Sequence, residues 1–201
     1  MPGVGARVFV AVDIGDAVRR EAARVIGALA MKLEQTAKAP PKVVWVKPAA
    51  LHVTIRFLGE VEPDELERLT PLLAPPIRVA PFDIAWRGIG TFPNNRHPRA
   101  LWLGVMSGAA QLAAIEAEVS KRVAGAAVEL DDRALLPHLT LGRVKMAGTG
   151  VDWPKLLQAC EVRNATSHVD KVSLYQSRLS QHGPHYTELV SAPLVGSNEY
   201  Q

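Results

Sequence analysis

The chain has 201 residues, 48% of them hydrophobic and 21% charged, ordinary proportions for a soluble globular protein long enough to bury a sizeable core. No apolar run approaches the ~20 residues needed to span a bilayer, and the single cysteine, Cys160, excludes an internal disulfide and leaves a four-ligand zinc site hard to build. The net charge of +3 leans toward a polyanionic partner without specifying one.

The first element is a strand over Arg7–Val12, rich in β-branched residues. The apolar run Val8–Ile14 is short, holds Asp13 and lacks a following cleavage site, so it reads as a strand rather than a signal peptide. With the lone cysteine, this fits a reducing, cytoplasmic setting. Asp16 is placed to cap a helix reaching about Gln35, with Val18, Ala22, Val25, Ile26, Leu29 and Leu33 at helical spacing. Short strands follow over Val43–Val46 and Leu51–Leu58, the second stopped by Gly59. Pro63 suits the first position of a short helix. Phe82–Ile89 and Leu101–Val105 read as paired strands around a loop, Gly90–Arg99. Ser107 is placed to cap a helix carrying Leu112, Ile115, Val119 and Val123. His138–Val144 is a strand, and Asp152 with Pro154 opens a short helix. Ser167–Gln176 and Tyr186–Val190 close the chain as two strands around a Gly-Pro turn. Strand pairs mixed with helices, without regular βαβ alternation, predict an α+β fold with antiparallel sheets.

Two segments repeat a pattern. Leu51-His52-Val53-Thr54-Ile55 and Pro137-His138-Leu139-Thr140-Leu141 are both His-apolar-Thr-apolar, and both fall in predicted strands. Alternate strand residues share a face. His52 and Thr54 therefore point one way while Val53 and Ile55 point into a core, and the second copy does the same. Six histidines in 201 residues give roughly 0.05 such tetrads per chain by chance, so one copy is weak evidence and two are not. Two imidazoles with pKa values near ~6.5 can serve as base and acid at one phosphorus atom. Two hydroxyls can donate to its non-bridging oxygens as charge builds. No cluster of side chains at metal-ligand spacing accompanies them, so neither metal nor cofactor is expected.

On these motifs the chain resembles the 2H phosphoesterases, and within them the RNA 2',3'-cyclic phosphodiesterases, also called 2'-5' RNA ligases. Leu51-His52-Val53-Thr54-Ile55-Arg56-Phe57-Leu58-Gly59-Glu60 resembles the first family motif and Pro137-His138-Leu139-Thr140-Leu141-Gly142-Arg143 the second. Arg7–Val12 is similar to the opening strand, Gly88–Pro93 with Leu101–Gly104 to the middle hairpin, and Leu174–Leu179 with Gly183 and Tyr186 to the closing hairpin. The resemblance implies one bilobal domain over the whole chain, 1–201. Its two pseudo-symmetric lobes would each be an antiparallel sheet with outer helices, the sheets facing each other across a central cleft. It implies His52 as proton donor to the departing 3'-oxygen, His138 as the base that activates water, and a 2'-phosphomonoester product. It also implies Thr54, Thr140 and Arg143 as substrate-binding residues, with an RNA bearing a 2',3'-cyclic phosphate as partner. A monomer without metal or membrane attachment is expected. The near-symmetric motifs themselves leave open which histidine is acid and which is base.

Strict alternation would turn Arg143 away from His138, so its phosphate role requires a twist or the end of the regular strand. Alternation puts Arg56 beside His52 and Phe57 in the core. Arg96, His97 and Arg99 are read as a solvated loop, His182 and His185 as turn residues, His168 as a strand residue and Cys160 as packing. Tyr186 is either a stacking surface for a base or a hairpin residue. Three other activities remain open: a 2'-5' ligase using the same histidines in reverse, an RNA-binding module without turnover, and a phosphodiesterase for small cyclic nucleotides.

Overall fold

The computed structural model describes residues 5–126, 135–180 and 183–196. Its elements are β1 (Ala6–Asp13), α1 (Asp16–Thr36), β2 (Lys42–Trp45), a 3-10 turn (Pro48–Ala50), β3 (His52–Val61), α2 (Pro63–Leu73), β4 (Phe82–Phe92), β5 (Ala100–Ser107), α3 (Ala109–Ala124), β6 (His138–Met146), α4 (Trp153–Gln158), β7 (Thr166–Val169), β8 (Lys171–Ser180) and β9 (Gly183–Pro193). They form two sheets, one of four strands in the order β3-β1-β8-β9 and one of five in the order β2-β6-β5-β4-β7. Every pairing in them is antiparallel, the α+β arrangement expected. Among the described residues no helix is long and apolar enough to cross a membrane.

Local chemistry sets the helix ends with some departures from expectation. The N-cap of α1 is Gly15, and Asp16 sits in the first turn, where its charge favours the helix dipole. Ser107 ends β5 and accepts a hydrogen bond from the Ala85 amide at 3.2 Å. The cap of α3 is Gly108, at φ 90°, a conformation that glycine adopts without strain. Pro63 opens α2 behind a Glu62–Glu65 capping box, and Asp152 caps α4 through the Lys155 amide. The predicted strand Ser167–Gln176 is two strands in different sheets, β7 and β8, joined through Asp170. The inward set changes phase there, from Ser167 and Val169 to Val172 and Leu174, so one continuous strand could not bury both pairs.

The helices exchange partners. α1 follows β1 of the four-stranded sheet yet lies against β6, β7 and α4 of the other. α3 follows β5 of the five-stranded sheet yet packs on β3 and on α2, which itself lies against β9. Val18, Ala22, Val25, Leu29 and Leu33 give α1 its inner stripe, and Leu112, Ile115, Val119 and Val123 do so for α3. Both stripes belong to one continuous apolar cluster that runs under both sheets.

Candidate active site

β3 and β6, the two motif strands, lie against each other where the sheets meet. Both carry an irregularity at the same place. In β3, Thr54 pairs with Ala11 and Arg56 with Val10, so Ile55 has no partner on β1. In β6, Thr140 pairs with Trp102 and Gly142 with Leu101, so Leu141 has no partner on β5. Each is the fourth residue of a His-apolar-Thr-apolar motif. An extra residue in one strand swaps the faces of everything beyond it.

That swap decides the site's composition. Arg143 pairs with Ala100, two residues from Trp102, and so shares the face of Thr140 and His138. The bulge supplies the twist that the arginine required. On β3 the equivalent position is Phe57, which pairs with Phe9 and shares the face of His52 and Thr54. Phe57 is 40% exposed, and Leu58 is buried in its stead. The expectation of a core Phe57 is thereby corrected. Arg56 takes the other face, where its guanidinium lies 3.2 Å from the Glu116 carboxylate of α3, so it does not stand beside His52.

Each histidine is half-buried and fixed in the same way. His52 Nδ1 lies 2.9 Å from the Ala50 carbonyl, and His138 Nδ1 lies 2.6 Å from the Leu136 carbonyl. A carbonyl accepts only, so each Nδ1 carries a proton and each Nε2 is left to do chemistry. Arg19 of α1 supports the first arrangement, donating to the carbonyls of Pro48, which opens the 3-10 turn, at 2.8 Å and of Leu51, just past its end, at 3.4 Å.

Aromatic rings frame both imidazoles. Phe9 stacks on His52 at 4.8 Å and Tyr186 meets it edge-on at 5.1 Å. Phe92 meets His138 edge-on at 4.9 Å, with Trp102 at 6.4 Å. Trp102 lies flat over Gly90, where an added Cβ would fall 2.2 Å from the ring. Burial lowers the pKa of both histidines. The Nδ1 hydrogen bonds oppose the shift, and Arg143 reinforces it at both sites. Asp13, directly opposite His52 across the β1–β3 pair, raises the pKa of His52 and not that of His138. Arg143 also acts on Tyr186. One guanidinium is thus felt by rings from both sheets.

Thr54 and Thr140 are half-buried beside their histidines. Sequence reasoning weighed Tyr186 as a stacking residue, and it does line the site, against His52. It missed Phe9, Phe92, Trp102, Asp13 and Arg19. Phe92 was hidden by ending β4 at Ile89, three residues early. Arg96, His97 and Arg99 are exposed on the loop after β4. His168 is exposed and pairs with Asp83 at 2.8 Å on the β4–β7 edge. Cys160 is buried in the core, and burial pushes its thiol pKa up. His185 is exposed on β9, and His182 lies outside the described residues. Among the described residues no three His, Cys, Asp or Glu side chains gather as metal ligands.

Known proteins are similar to this chain along most of its length. The family model described as the 2'-5' RNA ligase superfamily matches residues 17–181. A Methanothermobacter thermautotrophicus protein named RNA 2',3'-cyclic phosphodiesterase is 31% identical over 91% of this chain and 96% of its own. An Aeropyrum pernix protein of the same name is 32% identical over 86% of this chain and 98% of its own. The crystal structure of E. coli LigT complexed with 3'-AMP superposes with a TM-score of 0.67 at 25% identity, covering 95% of this chain and 99% of that one. The crystal structure of TT0787 of Thermus thermophilus does so with a TM-score of 0.66 at 26% identity, over the same shares.

Proposed function

Because this chain belongs to the 2'-5' RNA ligase superfamily of 2H phosphoesterases, we propose that it hydrolyses RNA 2',3'-cyclic phosphate ends to 2'-phosphomonoesters. The observation that carries the reading is that β3 and β6, which lie against each other where the two sheets meet, each present an imidazole whose Nδ1 donates to a backbone carbonyl and whose Nε2 is left for chemistry.

In this reading His138 Nε2 takes a proton from water as the water oxygen attacks phosphorus. His52 Nε2 gives its proton to the 3'-oxygen as the P–O3' bond breaks. The products are a 3'-hydroxyl and a 2'-phosphate. Burial, Arg143 and Arg19 lower the pKa of His52, and Asp13 opposes them with no counterpart acting on His138; that carboxylate is the feature that favours His52 as the acid. The hydroxyls of the half-buried Thr54 and Thr140 donate to the non-bridging oxygens, and the exposed Arg143 balances their charge. The protein runs this reaction without a metal, because the histidines handle both protons. It does so as a monomeric, single bilobal domain in the cytoplasm.

The test uses purified protein in EDTA with an oligoribonucleotide ending in a 2',3'-cyclic phosphate. A 2'-phosphate end is expected, and His52→Ala or His138→Ala each lowers kcat by at least ~10²-fold, the scale of a lost acid or base. Thr54→Ala and Thr140→Ala cost less. Full activity in either histidine variant sinks the two-histidine scheme. A joined product on adding a 5'-hydroxyl oligonucleotide would instead favour ligation.

A further inference from the structure

The bulge at Ile55 leaves a large ring where a regular strand would have buried one. Phe57 is a 40% exposed aromatic residue on the face that carries His52 and Thr54. About four strand intervals separate it from His52, roughly 13 Å along β3. Arg7 of β1 lays its guanidinium over the Phe57 ring, 4.9 Å from the centroid. The same two strands bring Phe9 between this pair and the His52 imidazole. Burial raises the Tyr186 hydroxyl pKa, while Arg143 and Arg7 both act against it. Arg7 therefore stands on the phosphate side of the sheet, in a strip continuous with the reacting centre.

An exposed ring costs a soluble protein apolar contact with water, yet here the group laid over it is a cation, Arg7. A planar guanidinium stacked on a ring is a surface on which a nucleobase can stack in turn, and its charge suits the adjoining phosphate. We propose that Phe57 and Arg7 form a second nucleotide subsite, which takes the base and phosphate next to the cyclic-phosphate-bearing nucleotide. The proposal rests on the cyclic phosphodiesterase reading and sharpens it, making the substrate an oligonucleotide rather than a mononucleotide.

Equilibrium binding decides it without turnover. The probes are a trinucleotide ending in a 2'-phosphate and the corresponding nucleoside 2'-monophosphate. Wild-type protein is expected to bind the trinucleotide more tightly. Phe57→Ala removes about tenfold of that preference, the scale of one lost stacking contact, and leaves monophosphate binding unchanged. Phe57→Trp retains the preference. Arg7→Gln reduces the slope of log Kd against log salt for the trinucleotide by about 0.7, one phosphate contact on a single strand. An unchanged preference in Phe57→Ala, or equal losses on both probes, overturns the subsite. Failure of the wild-type protein to open a cyclic end counts against the phosphodiesterase reading alone, because the binding ratio is read separately.

Discussion

At the scale of residues, two similar imidazoles need different tasks, and their charged surroundings differ: Asp13 raises the pKa of His52 and Arg19 lowers it, while neither acts on His138. Burial lowers both pKa values below the ordinary ~6.5. The base must be neutral to act, so the acid limb of a kcat/KM–pH profile should lie below that value. The acid must be protonated, so the alkaline limb follows the pKa of the proposed acid, His52, which burial lowers and the Ala50 carbonyl and Asp13 partly hold up. Both limbs belong to the coupled pair. Asp13→Asn removes a raising influence on His52, and the alkaline limb is expected to move to lower pH. A profile superimposable on wild type would detach Asp13 from the acid. Stability carries the same signature. A lowered folded-state pKa means that the unfolded chain binds more protons, so stability is lost as pH falls through about 6.5 and below. The fall in Tm between pH 7.5 and 5 should be smaller in His52→Gln or His138→Gln than in wild type, and an equal fall would contradict the depressed values.

At the scale of elements, the two bulges explain why the site was only partly legible in the sequence. Period-2 alternation found His52, Thr54, His138 and Thr140, because all four precede the irregularity. It failed at Arg56, Phe57 and Arg143, because all three follow it. Nothing in the composition of Ile55 or Leu141 marks a bulge; only the pairing strand reveals one. The aromatic frame around His138 was lost for a related reason. Gly88 and Gly90 look like the end of a strand, but β4 runs on to Phe92. Gly90 is there so that Trp102 can lie across the backbone. Gly90→Ala should push that ring out, lower stability by about 1–3 kcal/mol through overpacking, and reduce kcat through the displaced wall of His138. An unchanged denaturant midpoint would show that the ring can move without cost. The β7–β8 break was missed too, although it left a mark. The phase change between Val169 and Val172 is visible in the sequence, and Asp170 sits at the step.

At the scale of the whole molecule, element order indicated an α+β chain with antiparallel sheets, the family resemblance implied two of them, and two are present. The exchange of helices was not legible, because an amphipathic stripe says that a helix is covered and not by which sheet. Its energetic meaning is direct. Each sheet buries its outer face under a helix that enters from the other, and the apolar cluster is shared. Neither half keeps its own cover if the other unfolds. Chemical denaturation is therefore expected to give one transition, with far-ultraviolet circular dichroism and tryptophan fluorescence coinciding. Two separated transitions would show that the lobes are independent.

The same exchange limits how the protein meets its substrate. A clamshell can gape only if its shells slide freely, and here each shell is strapped to the opposite one by a long helix whose apolar stripe would be stripped bare by the movement. The spacing of the two motif strands, β3 and β6, is then fixed before any ligand arrives. Recognition would owe its selectivity to the entrance and to the strand face beyond it, and release of product would need no hinge to reopen.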